Sequence, residues 1–238
     1  MDIVLIPGMW LSARSWDDVT PALEQAGHRP IPITLPGLDA ADTDRSSITL
    51  ADWVAAAVAA VDGVPGDRPV AVVGHSAASG VAWAVADARP ERVARAILIG
   101  GFPTPDGQQA AGGQQAVGGE IPLPDWSEMD DADLVGLDED LRARFRAQAV
   151  PTPARAVQDE QRLTDERRYD VPVTMVCPEF TAEKLREWVA AGEEPVTEIP
   201  LTRQVDYVDL PTGHWPQFTR PTDLAEVIRA AVDGPSAG

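Results

Sequence analysis

Ser76 stands in the segment Gly-His-Ser-Ala-Ala at 74–78, between an apolar run at 70–73 and a helical pattern. A Gly-x-Ser-x-small sequence between a strand and a helix is typical of a nucleophile elbow, a tight turn that exposes a serine hydroxyl. Small flanking residues let the strand and the helix approach closely, although Ala78 replaces the more usual glycine. The alternative is a Gly-x-Ser that merely begins a helix. We predict that Ser76 is a nucleophile.

A serine hydroxyl is a weak nucleophile unless a positioned base accepts its proton. The chain has three histidines. His214 lies in Leu-Pro-Thr-Gly-His-Trp-Pro at 210–216, after the last predicted strand, which is where parallel sheets place catalytic residues. We interpret His28 as structural or solvent-facing and His75 as a packing residue. His214 is therefore the predicted general base.

A third residue should orient the histidine and stabilise its cation, and three carboxylates are candidates. Glu179 follows the fifth predicted strand in Val-Cys-Pro-Glu-Phe-Thr at 176–181. Asp106 follows the fourth strand, although Asp-Gly is also a common turn. Asp209, at the end of the sixth strand, is a further alternative. Glu179 is the favoured candidate, with Asp106 as its alternative.

Two backbone N–H groups are expected to bind the oxyanion that develops when such a serine attacks a carbonyl group. One belongs to Ala77, directly after the serine. The other comes from Ile-Pro-Gly-Met-Trp at 6–10, after the first predicted strand. Proline has no N–H, so Met9 is the predicted donor. Pro7-Gly8 can also be read simply as a turn, and the two interpretations are compatible. Trp10, Trp126 and Trp215 are predicted to contact substrate, which favours an apolar or aromatic compound.

The elements that would position these residues alternate along the chain. Apolar runs predict strands at 2–6, 29–35, 69–74, 93–100, 171–177 and 204–210. Helical patterns lie at 16–26 (with Ser15 as its cap), 49–61, 77–88, 181–191 and 219–232. Strands separated by helices predict an α/β fold, a mostly parallel, doubly wound sheet of about six strands with helices on both faces.

Residues 103–168 interrupt this alternation. They begin with the near-repeat GQQAAG, GQQAVG at 107–118, which we interpret as a flexible linker. Apolar residues follow that could cover a site: Ile121, Leu123, Trp126, Leu134, Leu137 and Phe145. We therefore predict a core domain formed by 1–102 and 169–238, with 103–168 as an inserted cap or lid.

Composition excludes several classes of function. A net charge of −19 disfavours nucleic acid, and no apolar run is long enough to cross a membrane. The N-terminal sequence does not resemble a signal peptide, so we expect a cytoplasmic protein. We also expect a monomer or homodimer that acts on a small molecule. One cysteine, Cys177, excludes an internal disulfide and is interpreted as a core residue. No ligand spacing or glycine-rich phosphate motif indicates a metal or a nucleotide cofactor.

These motifs resemble the α/β-hydrolase superfamily over nearly the whole chain, and most of all its small esterase and hydroxynitrile-lyase-like branch. The resemblance covers the Pro-Gly loop followed by Trp10, the elbow at 74–78, and Gly-His-Trp-Pro at 213–216. The order of serine before histidine is also that of the family. The family usually carries aspartate about where Phe180 stands, so Glu179 would be a substitute.

The expected function is hydrolysis of a small, apolar carboxylic ester or lactone through an acyl-enzyme at Ser76. One alternative is a lyase or biosynthetic tailoring enzyme that uses the same triad as a base. The lyases of this branch place a lysine near the site, and Lys184, the only lysine here, lies after the fifth strand. Another alternative is a small-molecule-binding protein, which would bind tightly without turnover.

Overall fold

The computed structural model describes residues 1–42, 44–66 and 68–234. Within them the strands are β1 (Asp2–Ile6), β2 (Arg29–Pro32), β3 (Val70–His75), β4 (Val93–Ile99), β5 (Glu120–Ile121), β6 (Thr152–Pro153), β7 (Val173–Cys177) and β8 (Val205–Asp209). The helices are α1 (Thr20–Gln25), α2 (Leu50–Asp62), α3 (Ala78–Ala88), α4 (Glu139–Gln148), α5 (Ala154–Gln158), α6 (Ala182–Ala191), α7 (Pro216–Thr219) and α8 (Pro221–Asp233).

Six strands form one sheet in the order β2-β1-β3-β4-β7-β8, and all of its neighbouring pairs are parallel. The predicted α/β architecture is confirmed. The chain starts at β1, adds β2 on one side and β3 on the other, and this reversal opens a crevice at the carboxyl ends of the strands. Ser76, Glu179 and His214 lie in the connections that leave β3, β7 and β8 at that edge.

Each face of the sheet carries its own hydrophobic core. Val4 and Ile6 of β1 point to the face covered by α2 and α3, whereas Ile3 and Leu5 point to the face covered by α1 and α8. This alternation follows from the two-residue period of a strand. Within the described ranges, no helix is both long and apolar enough to cross a bilayer.

The first helix begins later than its sequence pattern predicts. The pattern at 16–26 gives a 3₁₀ turn (Ala13–Trp16) and then α1, which has Pro21 in its first turn. Proline is favourable there because its missing N–H would have had no partner. Ser15 is therefore not the cap of α1. Its hydroxyl instead donates to the carbonyl oxygen of Ser12 at 2.9 Å.

Prolines also shorten two other predicted elements. The helix expected at 219–232 begins two residues later, at Pro221, because Arg220 precedes this proline and has φ −140° and ψ 52° between α7 and α8. A residue before proline is disfavoured in the helical region. The second strand, expected at 29–35, ends at Pro32 on the edge of the sheet, where a residue without an N–H is tolerated.

The 103–168 segment lies between β4 and β7 and carries β5, β6, α4 and α5. Strands β5 and β6 pair antiparallel. Ile121, Leu137 and Phe145 are buried in the same cluster as side chains of α2 and α3. Leu123, Trp126 and Leu134 are partly buried against that cluster. The segment is thus packed on the carboxyl-end edge of the sheet, on the side of α2 and α3.

Candidate active site

Ser76 occupies the tight turn between β3 and α3. Its φ of 56° is in the left-handed region, which is uncommon for a residue with a side chain. Its N–H donates to the carbonyl oxygen of Ile99 at 2.8 Å, which ties the turn to the end of β4. A Cβ on Gly74 would lie 2.4 Å from the carbonyl oxygen of Ala78, so glycine is required where strand and helix approach.

Two further glycines make room around the serine. A Cβ on Gly8 would lie 2.7 Å from Nδ1 of His75 and 3.1 Å from Cβ of Ser76. A Cβ on Gly101 would lie 2.3 Å from the carbonyl oxygen of Ser76. Gly101 was not predicted from the sequence, because its contact with the elbow depends on how β4 lies beside β3.

His214 connects Ser76 to Glu179. Oγ of Ser76 lies 2.8 Å from Nε2 of His214, and Nδ1 of His214 lies 2.7 Å from Oε1 of Glu179. A carboxylate only accepts, so in the neutral ring Nδ1–H donates to Glu179 and Nε2 accepts from the serine hydroxyl. Both ring nitrogens are therefore occupied, and the arrangement can transfer a proton from serine to histidine.

The other two carboxylates considered for this site lie elsewhere. Asp106 is exposed, and its Oδ1 accepts from the backbone N–H of Leu163 at 2.9 Å. Oδ1 of Asp209 accepts from the N–H of Ala182 at 2.6 Å, at the start of α6. Neither carboxylate has a hydrogen bond to His214. Asp106 connects two distant parts of the 103–168 segment, and Asp209 stabilises the start of α6.

The charges beside His214 favour its protonated form. Burial disfavours the imidazolium, but it is outweighed by the hydrogen bond and charge of Glu179 and by the charge of Asp133. The pKa of His214 is therefore raised above the ordinary 6.5. A base with a raised pKa accepts the serine proton more readily.

His75 does more than pack, which corrects the interpretation from sequence. Its Nε2 lies 2.7 Å from the carbonyl oxygen of His214, and its Nδ1 lies 3.3 Å from Nε2 of Gln217. A carbonyl only accepts, so Nε2–H donates and Nδ1 accepts from the amide. Burial, with the nearby His214, lowers the pKa of His75 to about 3. His75 thus stays neutral and holds the backbone of His214.

The 103–168 segment holds the same loop from the other side. The N–H of His214 donates to the carbonyl oxygen of Asp133 at 2.8 Å, and that of Gly213 donates to Val135 at 3.0 Å. A Cβ on Gly213 would lie 2.2 Å from the carbonyl oxygen of Asp133. Nothing in the sequence singles out Asp133, because it lies in an acidic run with no motif.

The predicted oxyanion donors lie beside the serine. Met9 and Ala77 line the same cavity as Ser76, and their N–H groups have no hydrogen-bond acceptor among the described residues. Trp10 follows with φ 65° and is fixed to the 103–168 segment. Its backbone N–H donates to Oγ1 of Thr152 at 2.8 Å, and its ring N–H donates to Ile121 at 3.1 Å.

A cavity of about 690 Å³ opens above Ser76. Its walls combine apolar side chains with acidic ones, and no lysine or arginine lines it among the described residues. The apolar and aromatic lining residues are Met9, Trp10, Ala77, Ala110, Ala111, Val117, Ile121, Pro122, Pro124, Met129 and Trp215, and the acidic ones are Glu128, Asp130, Asp133 and Glu179.

The three tryptophans predicted to contact substrate differ in position. Trp10 and Trp215 line the cavity, whereas Trp126 does not. The ring of Trp126 packs edge-on against Trp215 at 6.2 Å and against Phe145 at 5.5 Å, with the guanidinium of Arg146 over it. Trp126 therefore packs against Trp215 without lining the cavity, because part of the apolar face of the 103–168 segment is used for packing against other apolar side chains.

The glutamine-rich repeat at 107–118 is fixed to the protein at several points. The N–H of Gly107 donates to Gln161 at 2.9 Å, and that of Ala111 donates to Val157 at 3.0 Å. Gln114 and Gln115 line the cavity. The repeat thus forms part of the cavity wall, which differs from the free linker expected from its composition.

Two other reactive side chains have no place in this site. Cys177 is buried, and burial together with the charges of Asp209 and Glu179 raises the pKa of its thiol to about 12. Such a thiol does not form the reactive thiolate at neutral pH. Nζ of Lys184 lies on the surface of α6, 2.9 Å from Oε2 of Glu187.

The sequence profile of the Alpha/beta hydrolase family matches residues 3–227. The chain belongs to this family. One relative of this α/β hydrolase, a protein from Arabidopsis thaliana named as a methylesterase, is 28% identical over 107 residues. These residues are 44% of this chain and only 31% of that relative's length.

Solved structures extend the likeness over the whole chain. A methylesterase from Arabidopsis has a TM-score of 0.75 at 19% identity and covers 98% of this α/β hydrolase and 99% of its own chain. A pyrethroid hydrolase from Sphingobium faniae has a TM-score of 0.73 at 20% identity, covering 100% and 99%. An extracellular α/β-hydrolase from a Paenibacillus species has a TM-score of 0.72 at 20% identity, covering 97% and 98%. At these identities the likeness shows a shared fold.

Proposed function

We propose that this α/β hydrolase is an esterase that cleaves a small, apolar carboxylic ester or lactone at Ser76. The observation that carries the proposal is the continuous path from Oγ of Ser76 through His214 to Glu179, at 2.8 and 2.7 Å. A serine, an imidazole and a carboxylate in this order are the groups that acyl transfer requires. Membership of the family and the names of two structural neighbours, a methylesterase and a pyrethroid hydrolase, support the same class of reaction.

The reaction proceeds in two halves. Oγ of Ser76 attacks the ester carbonyl carbon while Nε2 of His214 takes the serine proton, and the N–H groups of Met9 and Ala77 bind the oxyanion. His214 then protonates the leaving alcohol, and the acyl group remains on the serine. A water molecule, deprotonated by His214, attacks the acyl carbon of this acyl-enzyme. The bond between that carbon and Oγ of Ser76 then breaks, the acid leaves, and His214 returns the proton to Oγ. Glu179 stabilises the imidazolium in both halves.

The cavity supports an uncharged substrate. Trp10, Trp215 and the neighbouring apolar residues would contact an acyl or alcohol group of moderate size. Glu128, Asp130 and Asp133 add negative charge to its lining, and no cation balances them within the described lining. We propose that the 103–168 segment acts as the cap of this site.

A lyase of the same fold is a weaker proposal here. The related lyases place a lysine near the reacting groups, and the only lysine of this chain is Lys184. Its ammonium is on the surface and paired with Glu187. The residue directly after the base, at position 215, is tryptophan and not lysine. An esterase therefore remains the proposed function.

The test combines turnover with covalent labelling. A panel of p-nitrophenyl esters and lactones is assayed with the native protein and with Ser76→Ala, and a fluorophosphonate adduct is mapped by peptide mass spectrometry. We expect turnover of at least one neutral ester, loss of turnover in Ser76→Ala, and an adduct on Ser76 alone. An adduct on another residue, or none on native protein, contradicts the proposal.

A further inference from the structure

The catalytic loop and the 103–168 segment share main-chain hydrogen bonds at His214. The N–H of His214 donates to the carbonyl oxygen of Asp133, and Gly213 pairs with Val135. The absent side chain of Gly213 permits the approach, since a Cβ there would lie within 3 Å of both carbonyl oxygens. The backbone of the base is therefore fixed by the proposed cap and not only by its own loop.

The side chain of Asp133 lies beside the ring that this hydrogen bond fixes. A carboxylate oxygen of Asp133, one of Glu179 and a ring nitrogen of His214 all lie within 4.8 Å of one another. Among the described residues, three titratable groups face His214: Glu179 from the loop after β7, Asp133 from the 103–168 segment, and His75 at the end of β3. His75 is neutral, so two negative charges act on the imidazole.

We infer that Asp133 is a positioning residue of this site: its main chain holds His214, and its carboxylate is a second negative charge that stabilises the imidazolium. The catalytic role of Asp133 rests on the proposed function. This role connects the 103–168 segment to the reaction at Ser76, because both negative charges lie beside His214 only when residues 133–135 are bound to the loop that carries Gly213 and His214.

The electrostatics agree with this geometry. Asp133 is half-buried, and burial, opposed by the charge of His214 and supported by Glu179 and Asp130, raises its pKa above 3.8. Its charge in turn raises the pKa of His214, in addition to the larger contribution of Glu179. Opposite charges within about 4–6 Å typically interact strongly enough to shift a pKa. Asp133 and Glu179 therefore both favour the protonated form of His214.

The direct test is an NMR titration of the imidazole of His214 in the native protein and in Asp133→Asn. The chain has only three histidines, which single His→Gln variants assign. Asp133→Asn keeps the backbone carbonyl and removes the charge. We expect the pKa of His214 to fall by about half a unit or more. Asp131→Asn, an exposed aspartate of the same run that does not line the cavity, should leave it unchanged.

A second readout shows whether this charge affects reactivity. The rate of inactivation by an uncharged fluorophosphonate is measured against pH in the same variants. In Asp133→Asn we expect the acid limb to move to lower pH and the plateau rate to fall about three- to tenfold. General damage to the fold would lower the plateau without moving the limb.

The outcomes separate this inference from the proposed function. An unchanged pKa of His214 in Asp133→Asn overturns the inference, even where Ser76 is labelled normally. Equal shifts in Asp133→Asn and Asp131→Asn also overturn it, since they would indicate only a change in overall charge. A protein that shows the expected NMR shift but is never labelled at Ser76 retains the electrostatic inference and loses the hydrolase proposal.

Discussion

Nδ1–H of His214 donates to Oε1 of Glu179 at 2.7 Å, across the ends of the neighbouring strands β7 and β8. The two side chains are 35 positions apart in the chain and meet because both loops leave the same edge of the sheet. The second carboxylate oxygen, Oε2, is buried without a hydrogen-bond partner among the described residues. Glu179 thus accepts a hydrogen bond from the histidine through one oxygen, Oε1, only.

Glu179→Gln should lower kcat by about 10²–10³, because a neutral amide no longer stabilises the imidazolium. The nearby charge of Asp133 is one reason to expect less than the roughly 10⁴ loss known for a serine protease. Steady-state kinetics measure the change, and fluorophosphonate mapping checks that Ser76 remains accessible. Asp106→Asn and Asp209→Asn are the matched controls. A severe loss in either control, with Glu179→Gln nearly native, would show that the acid is assigned wrongly.

Gly8→Ala should lower kcat/KM by about 10- to 100-fold, since small displacements of reacting groups have effects of this size. The new Cβ would meet the ring of His75 at 2.7 Å and the Cβ of Ser76 at 3.1 Å. Gly113→Ala is the control, because a Cβ on Gly113 would have no atom within 4 Å and its φ is not positive. Equal activity of the two variants would contradict the proposed packing of the elbow.

Neutral esters should be hydrolysed about tenfold faster than isosteric esters that carry a carboxylate, at low ionic strength. The reason is the acidic lining of Glu128, Asp130 and Asp133 without a balancing cation among the described lining residues. A pair of matched neutral and anionic p-nitrophenyl esters provides the measurement. The double variant Glu128→Gln, Asp130→Asn should reduce the difference in rate between the neutral and the anionic ester, because it removes two of the negative charges. A preference for the anionic ester in the native protein would refute this prediction.

Activity should fall on the acid side at a pH above the ordinary histidine value of 6.5. His214 must be neutral to accept the serine proton, so kcat/KM is lost as the pH falls through its raised pKa. Glu179→Gln should move this limb to lower pH, because it removes the larger of the two negative charges. Initial rates from about pH 5 to 9 test both statements. A limb well below 6.5 in the native protein would argue against His214 as the base.

Arg168→Met should destabilise the protein by about 3–5 kcal/mol, because it leaves two buried carboxylates without a counter-charge. Arg168 lies 3.3 Å from Asp87 and 3.1 Å from Glu198, and all three side chains are at least nine-tenths buried. Urea unfolding followed by tryptophan fluorescence measures the change. Arg162→Met, which breaks an exposed pair with Glu160, should have little effect. Similar losses in both variants would show that burial is not the cause.

Several features of this protein are predictable from local sequence. The elbow at 74–78 is recognisable because a strand, a strained turn and a helix follow one another within a few residues. All the residues that form it are therefore adjacent in the sequence. The alternation of apolar runs and helical patterns predicts the α/β sheet for the same reason. His214 is identifiable because a loop after a parallel strand lies at the functional edge of such a sheet.

The tertiary structure decided what depends on contacts distant in the chain. Glu179, Asp106 and Asp209 all follow strands, and only the pairing of β7 with β8 brings Glu179 to the histidine. Asp133 lies beside the same ring because the 103–168 segment packs over the edge of the sheet, which no local pattern encodes. A sequence determines such pairs only through the packing of the whole chain, because the free energy that selects them is spread over many apolar contacts.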